Sequence, residues 1–250
     1  MKQEEHYIET APSIQNAVDI FKGAWLSILP IENVNSGGYV PLFTDPKVKK
    51  WDALHPVAGK KILELGPLEG GHTYCLEKLG ASSVTSIESN NISFMKCLIV
   101  KDIFKLNANL LYGDFREYLK NCNDRYDIVI ASGVLYHMLD PVQLIKDISR
   151  VTDVVFIWSH YYSKERQDLS YRYEHAPTLL QSKYKVYKHF YLDSLNSQLF
   201  CGGSRPYSYW FGKEDLINAF RDHGFSDIEL LDDIPDHPNG SCYTLLAKRM

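Results

Sequence analysis

From Lys60 onward the chain alternates short apolar runs with amphipathic stretches. The runs KKILELG, SVTSIES, ANLLYG, YDIVIAS and TDVVFIWS are strand-sized and bounded by Gly, Ser, Asn or Asp. Between them the spacing predicts helices over 72–79, 92–104, 115–121 and 141–150. Apolar strands alternating with helices imply crossover units and a mostly parallel sheet covered on both faces. The tail follows another pattern. Residues 213–223 read as a helix closed by Gly224, and FSDIELL and SCYTLLAK read as strands of an antiparallel hairpin joined by DDIPDHPNG.

The first 59 residues lack this alternation. Ile14, Val18, Phe21 and Trp25 recur at helical spacing, with Pro12-Ser13 as a start signal and Pro30 as a stop. Turn formers follow at 35–38, then a second helical piece at 48–54. The division expected is a helical N-terminal cap (1–59) over a main domain (60–250), the cap either covering core or gating a ligand. Residues 161–209, between the fifth strand and the last helix, form an insertion holding nine of the seventeen tyrosines.

Composition narrows the class. With 45% hydrophobic and 23% charged residues the chain reads as a soluble globular protein, and its net charge of −4 argues weakly against a dedicated nucleic-acid binder. Five cysteines without a C-x-x-C pair suggest reduced thiols. The acidic, polar N-terminus is unlike a signal peptide, and the longest apolar runs are far shorter than a membrane span. A cytoplasmic protein is expected; its oligomeric state is open.

In open α/β sheets, ligands sit at the carboxyl ends of the strands near the switch point, which directs attention to the end of the first strand. A dinucleotide loop reads G-x-G-x-x-G because its amides cradle a pyrophosphate. Here the spacing is Gly66-x-x-x-Gly70-Gly71, with Glu64 and Glu69 bringing negative charge. That disfavours a pyrophosphate and favours a ligand with a cationic end. Glu88 closes the second strand, where an acid accepts ribose hydroxyls. A ribose nucleoside with positive charge and no phosphates describes S-adenosylmethionine.

These residues resemble the class I S-adenosylmethionine-dependent methyltransferases, from about Lys60 to Arg249 and most closely over 60–140. The resemblance implies a Rossmann-like, seven-stranded, mostly parallel sheet of order 3-2-1-4-5-7-6 with helices on both faces. It implies that Glu64, Gly66, Leu68 and Gly70 form the cofactor loop, Leu68 departing from the glycine of the family pattern. It places Glu88 on the ribose, Asp114 at the adenine amino group with Phe115 beside the ring, and the segment 126–141, with Ser132 and Gly133, against the methionine portion. Family insertions like 161–209 commonly form a lid over the acceptor.

Methyl transfer from a sulfonium mainly needs in-line alignment, aided by a base when the acceptor is a hydroxyl or amine. His137, after the fourth strand, and His160, ending the fifth, are the candidate bases. A metal is not required, and no His/Asp cluster has ligand spacing. The tyrosines suit a small-molecule acceptor held between lid and cap, O- or N-methylation being open. An alternative is tRNA: GVLYH resembles the wobble-uridine carboxymethyltransferase branch, which leaves a carboxylated cofactor open, and the insertion carries seven basic against four acidic residues. A non-catalytic binder of the cofactor is the alternative from another class.

Overall fold

The computed structural model describes residues 7–174, 176–200 and 202–250. The first helix, α1 (Ile14–Asp19), starts where Ser13 accepts a hydrogen bond from the Asn16 amide at 3.1 Å. It ends six residues before Trp25, contrary to the continuous helix expected. The chain turns through Gly23, at φ +80°, and Trp25 folds back to donate its indole N–H to Val18 O at 2.8 Å. The second piece is α2 (Pro46–Leu54), capped by Asp45.

Four strand–helix units and a fifth strand follow: β1 (Lys61–Leu65), α3 (Gly71–Lys78), β2 (Ser83–Glu88), α4 (Asn91–Phe104), β3 (Asn109–Tyr112), α5 (Phe115–Asn121), β4 (Ile128–Ser132), α6 (Pro141–Val151) and β5 (Val154–His160). The insertion contributes β6 (Thr178–Leu180), β7 (Tyr184–Phe190) and β8 (Tyr207–Phe211), a separate antiparallel sheet that the apolar pattern did not announce. Then come α7 (Lys213–Asp222), β9 (Asp227–Ile234) and β10 (Cys242–Lys248). The main sheet runs β3-β2-β1-β4-β5-β10-β9. This is the order expected, since β9 and β10 are its sixth and seventh strands. β1 to β5 pair in parallel, and β10 runs antiparallel to both its neighbours.

The period of two along each strand decides which layer a side chain enters. Leu63, Leu65, Val129, Ala131, Val155 and Ile157 pack with α5, α6 and α7 on one face. Ile62, Ile128, Ile130, Phe156 and Leu246 face Leu76 of α3 and, from α2, Val48 and Trp51. Trp51 is fully buried and stacks on Phe156, ring centroids 5.2 Å apart. The segment before Lys60 is thus part of the wall that covers the sheet. Trp25 and Phe43 pack against Val100 of α4 in a further apolar layer.

Candidate active site

The loop after β1 lies at the carboxyl edge of the sheet, beside the switch point between β1 and β4. Its alternate residues Gly66, Leu68 and Gly70 take φ of +65°, +57° and +77°. Leu68 therefore adopts the left-handed conformation that the family pattern gives to glycine, at a cost of about 1–2 kcal/mol. A side chain at Gly66 would press on Val134 Cγ2 at 3.3 Å, and one at Gly71 would collide with Leu42 Cβ at 2.7 Å. The acid at the end of β2 fixes the loop: Glu88 accepts from the Leu68 amide at 3.1 Å and from the Asn90 amide at 2.8 Å. Burial raises the Glu88 pKa, and those amide bonds oppose the shift.

The other two acids are satisfied within the protein. Glu64 is 2% exposed and accepts from Ser86 Oγ at 2.7 Å and from Thr73 Oγ1. Its pKa is raised by burial. Glu69 is paired with Lys96 Nζ at 2.7 Å and also accepts from the Ser27 and Leu26 amides at 2.7 and 2.9 Å. Lys96 in turn donates to Ala24 O. The pair binds the N-terminal segment to the glycine loop, a link between distant residues that no sequence pattern signals. Glu64 and Glu69 accordingly lend the loop little uncompensated charge.

A cavity with an empty volume of about 310 Å³, partly open to solvent, lies above this loop. It is lined by Leu68 and Glu69 of the loop, by Asn90, Ser93 and Lys96, by Ala24 and Leu26 of the N-terminal segment, and by Leu199 and Phe200 of the insertion. Of the expected cofactor residues only Leu68 lines it; Glu64, Gly66, Gly70, Glu88, Asp114, Phe115, Ser132 and Gly133 do not. Asp114 caps α5 and is gripped by Arg116 through Nη2 at 2.6 Å and Nε at 3.0 Å, and this hydrogen-bonded guanidinium lowers its pKa. Phe115 packs into the core. Ser132 ends β4, and Gly133 follows at φ +80°, its Cα facing Trp158 and Tyr136.

Both candidate bases stand at the same edge. His137 lies in a 3-10 turn (Leu135–His137), its Nδ1 2.7 Å from Tyr191 Oη. Burial, reinforced by nearby His160 and His189, pushes its pKa down to about 3. His160 is 4% exposed, and its Nδ1–H donates to Gly240 O at 2.8 Å. Burial lowers its pKa to about 4. Sequence reasoning missed a third imidazole. His189 of β7 stacks on Trp210 at 4.4 Å, while His160 stacks on Trp210 at 4.9 Å. Both ring nitrogens of His189 are buried without a hydrogen-bond partner. The alternation YKVYKHF could have flagged an inward-facing His, had the insertion been read as sheet.

Comparison with known proteins agrees with this geometry. The N-terminal domain of EvdMO1, crystallised in the presence of SAH and D-fucose, superposes with a TM-score of 0.74 at 20% identity, covering 95% of this chain and 96% of that one. This chain has the fold of the class I S-adenosylmethionine-dependent methyltransferases. Magnesium protoporphyrin IX methyltransferase from Synechocystis PCC 6803, crystallised with SAH, shares the methyltransferase fold at a TM-score of 0.56 and 15% identity, over 82% of this chain and 81% of that one. The CcbJ methyltransferase from Streptomyces caelestis does so at 0.56 and 16%, over 91% and 98%. Among curated proteins, the tRNA U34 carboxymethyltransferase of Campylobacter hominis is 25% identical over 103 residues, 40% of this chain. The match spans only 35% of that relative's length. No family model matches the chain. No helix among the described residues is long and apolar enough to cross a membrane.

Proposed function

We propose that the protein is an S-adenosylmethionine-dependent methyltransferase that methylates a hydroxyl of a small molecule, with a sugar as the acceptor class. The observation that carries this reading is the loop at Gly66, Leu68 and Gly70, left-handed at each alternate residue and tied by its central amide to Glu88. Glu88 uses one lone pair of each oxygen on the Leu68 and Asn90 amides. The remaining lone pairs can accept the two hydroxyls of a ribose. Gly66 stands at φ +65°, where a side chain would be strained and would press on Val134 Cγ2 at 3.3 Å, so glycine is favoured there. When bound, S-adenosylmethionine supplies a methyl group activated by a positive sulfur that departs as a neutral thioether.

His137 receives the acceptor proton. In the tautomer that donates Nδ1–H to Tyr191 Oη, Nε2 carries the lone pair. A base with a pKa near 3 is weak. It therefore acts late, once methyl transfer has made the acceptor oxygen strongly acidic. Tyr136, Trp210 and His189 make the surroundings of His137 aromatic, and the crystallisation of the EvdMO1 domain in the presence of D-fucose supports a sugar as the acceptor class. The N-terminal segment and residues 198–200 serve as the cap and lid of the cavity.

The match to the tRNA U34 carboxymethyltransferase favours RNA as a second reading. Against it, Lys183 and Lys188 of the insertion are already paired, with Asp222 and Glu174, and Arg166 with Asp168. Labelled cofactor offered with total tRNA or with a metabolite extract separates the readings. Label in the metabolite fraction, insensitive to moderate salt, is expected. Label in tRNA that falls steeply with salt overturns the small-molecule reading.

A further inference from the structure

Three side chains that the methyl-transfer reading leaves without a joint role meet at the tip of the terminal hairpin. His160 ends β5, and Cys242, which begins β10, is its directly opposed partner across the antiparallel pair. Opposed residues of such a pair project from the same face, with Cβ atoms about 4.5–5.5 Å apart. His237 comes from the loop between β9 and β10. One ligand atom from each of the three lies within 4.8 Å of the other two.

We propose that His160, His237 and Cys242 form a binding site for one divalent transition-metal ion of the zinc type. Two imidazoles and a thiolate are the donor set such an ion prefers, and three protein ligands leave a fourth position for a water or a substrate oxygen. With metal–nitrogen and metal–sulfur bonds of about 2.0–2.3 Å, ligand atoms around a tetrahedral ion stand roughly 3.3–3.8 Å apart. The present spacing therefore has to contract by about 1 Å, within the reach of side-chain rotation in a loop that is half exposed at His237.

The surroundings of the cluster are those of a ligand set. The His160 Nδ1–H bond to Gly240 O fixes the tautomer and leaves Nε2 with a free lone pair. Metal-bound histidines characteristically donate their other N–H to a carbonyl or carboxylate in this way. Arg166 Nη1 donates to His237 O at 2.6 Å and holds that part of the loop in place. The cationic neighbours Arg166 and Lys47 disfavour an ion on neutral ligands alone. Ionisation of Cys242, with its proton released to solvent, offsets them. The site is independent of whether the chain transfers methyl groups, because its ligands and the cofactor loop share no residue.

The test uses the full chain, stripped with a chelator and titrated with Co²⁺, then with Zn²⁺ in competition. One Co²⁺ per chain is expected, with the near-ultraviolet thiolate-to-cobalt charge-transfer absorption and the intense visible bands of a four-coordinate ion. Cys242→Ser should abolish the charge-transfer absorption, and Cys122→Ser, at a thiol outside the cluster, should retain it. His237→Ala, at a half-exposed loop position, should weaken Zn²⁺ binding at least tenfold, with circular dichroism checking that the fold is kept. Absence of stoichiometric Co²⁺ binding, or a charge-transfer band that survives Cys242→Ser, overturns the proposal. So does His237→Ala binding Zn²⁺ as tightly as the parent.

Discussion

Replacing Glu69 by Gln removes the carboxylate paired with Lys96, leaving the ammonium with the Ala24 carbonyl and the face of the Trp25 ring, 5.4 Å away. Glu69 is 1% exposed and Lys96 is 4% exposed, and their 2.7 Å ion pair is completed by the Leu26 and Ser27 amides and by Ala24 O. In the variant the ammonium keeps one backbone carbonyl and loses its counter-charge. Breaking one half of a buried pair costs about 3–5 kcal/mol, because the other charge remains desolvated. With a urea m-value of about 3 kcal/mol/M, the unfolding midpoint falls by roughly 1–1.7 M. The companion variant Lys96→Met removes the stranded charge, so the double variant should recover at least about 1 kcal/mol relative to the sum of the singles. Because the pair anchors residues 24–27, limited proteolysis of Glu69→Gln should also cut that segment faster. A midpoint within about 0.3 M of the parent, with additive singles, would refute the reasoning: the charge would then be solvated and the segment held by something else.

Four further outcomes are expected. Glu88→Ala should weaken S-adenosylmethionine binding by about 1.5–3 kcal/mol in calorimetry, and unchanged affinity removes the ribose assignment. His137→Ala should lower turnover by about 10²–10⁴-fold while cofactor affinity persists; full activity would make His137 structural and leave His160 as the next base to test. Trp51→Ala should cost about 3–5 kcal/mol of stability, read from urea unfolding, since its indole is buried on Phe156. Burial holds the folded-state pKa of His189 at about 3, below the ordinary 6.5, so the unfolded chain binds the extra proton and stability falls as pH drops from 6.5 toward 3, by up to about 1.4 kcal/mol per pH unit. The raised carboxyls of Glu64 and Glu88 act with the opposite sign; the histidine's share is therefore read as the flatter pH profile of His189→Phe, and an unchanged profile contradicts the burial argument.

The main sheet was legible because its central strands are buried on both faces and its helices on one. That burial forces apolar runs and periodic stripes into the sequence, and KILEL, IVIAS and VVFIWSH all fell where expected. Gly66, Gly70 and Glu88 could be named for a similar reason: a left-handed backbone and an acid at a strand end leave a local trace. The course of the chain after Asp19 could not be named, since Trp25 satisfies a helical spacing yet is held by a bond back to Val18 O. Nor could the sheet of the insertion, whose β6 has only three residues and whose β7 and β8 are rich in Tyr and carry a weak alternation. What only the tertiary structure decided are the meetings across the chain. Glu69 was expected to face a ligand and instead closes on Lys96 and the Leu26 and Ser27 amides. Asp114, expected at the adenine amino group, caps α5 and pairs with Arg116. His160, His237 and Cys242 share no local motif, and they meet because strand register places His160 opposite Cys242 while the hairpin loop folds His237 over both. Periodicity records which face of its own element a residue occupies. The identity of the neighbour facing it is fixed by strand order and register, which depend on all the strands at once.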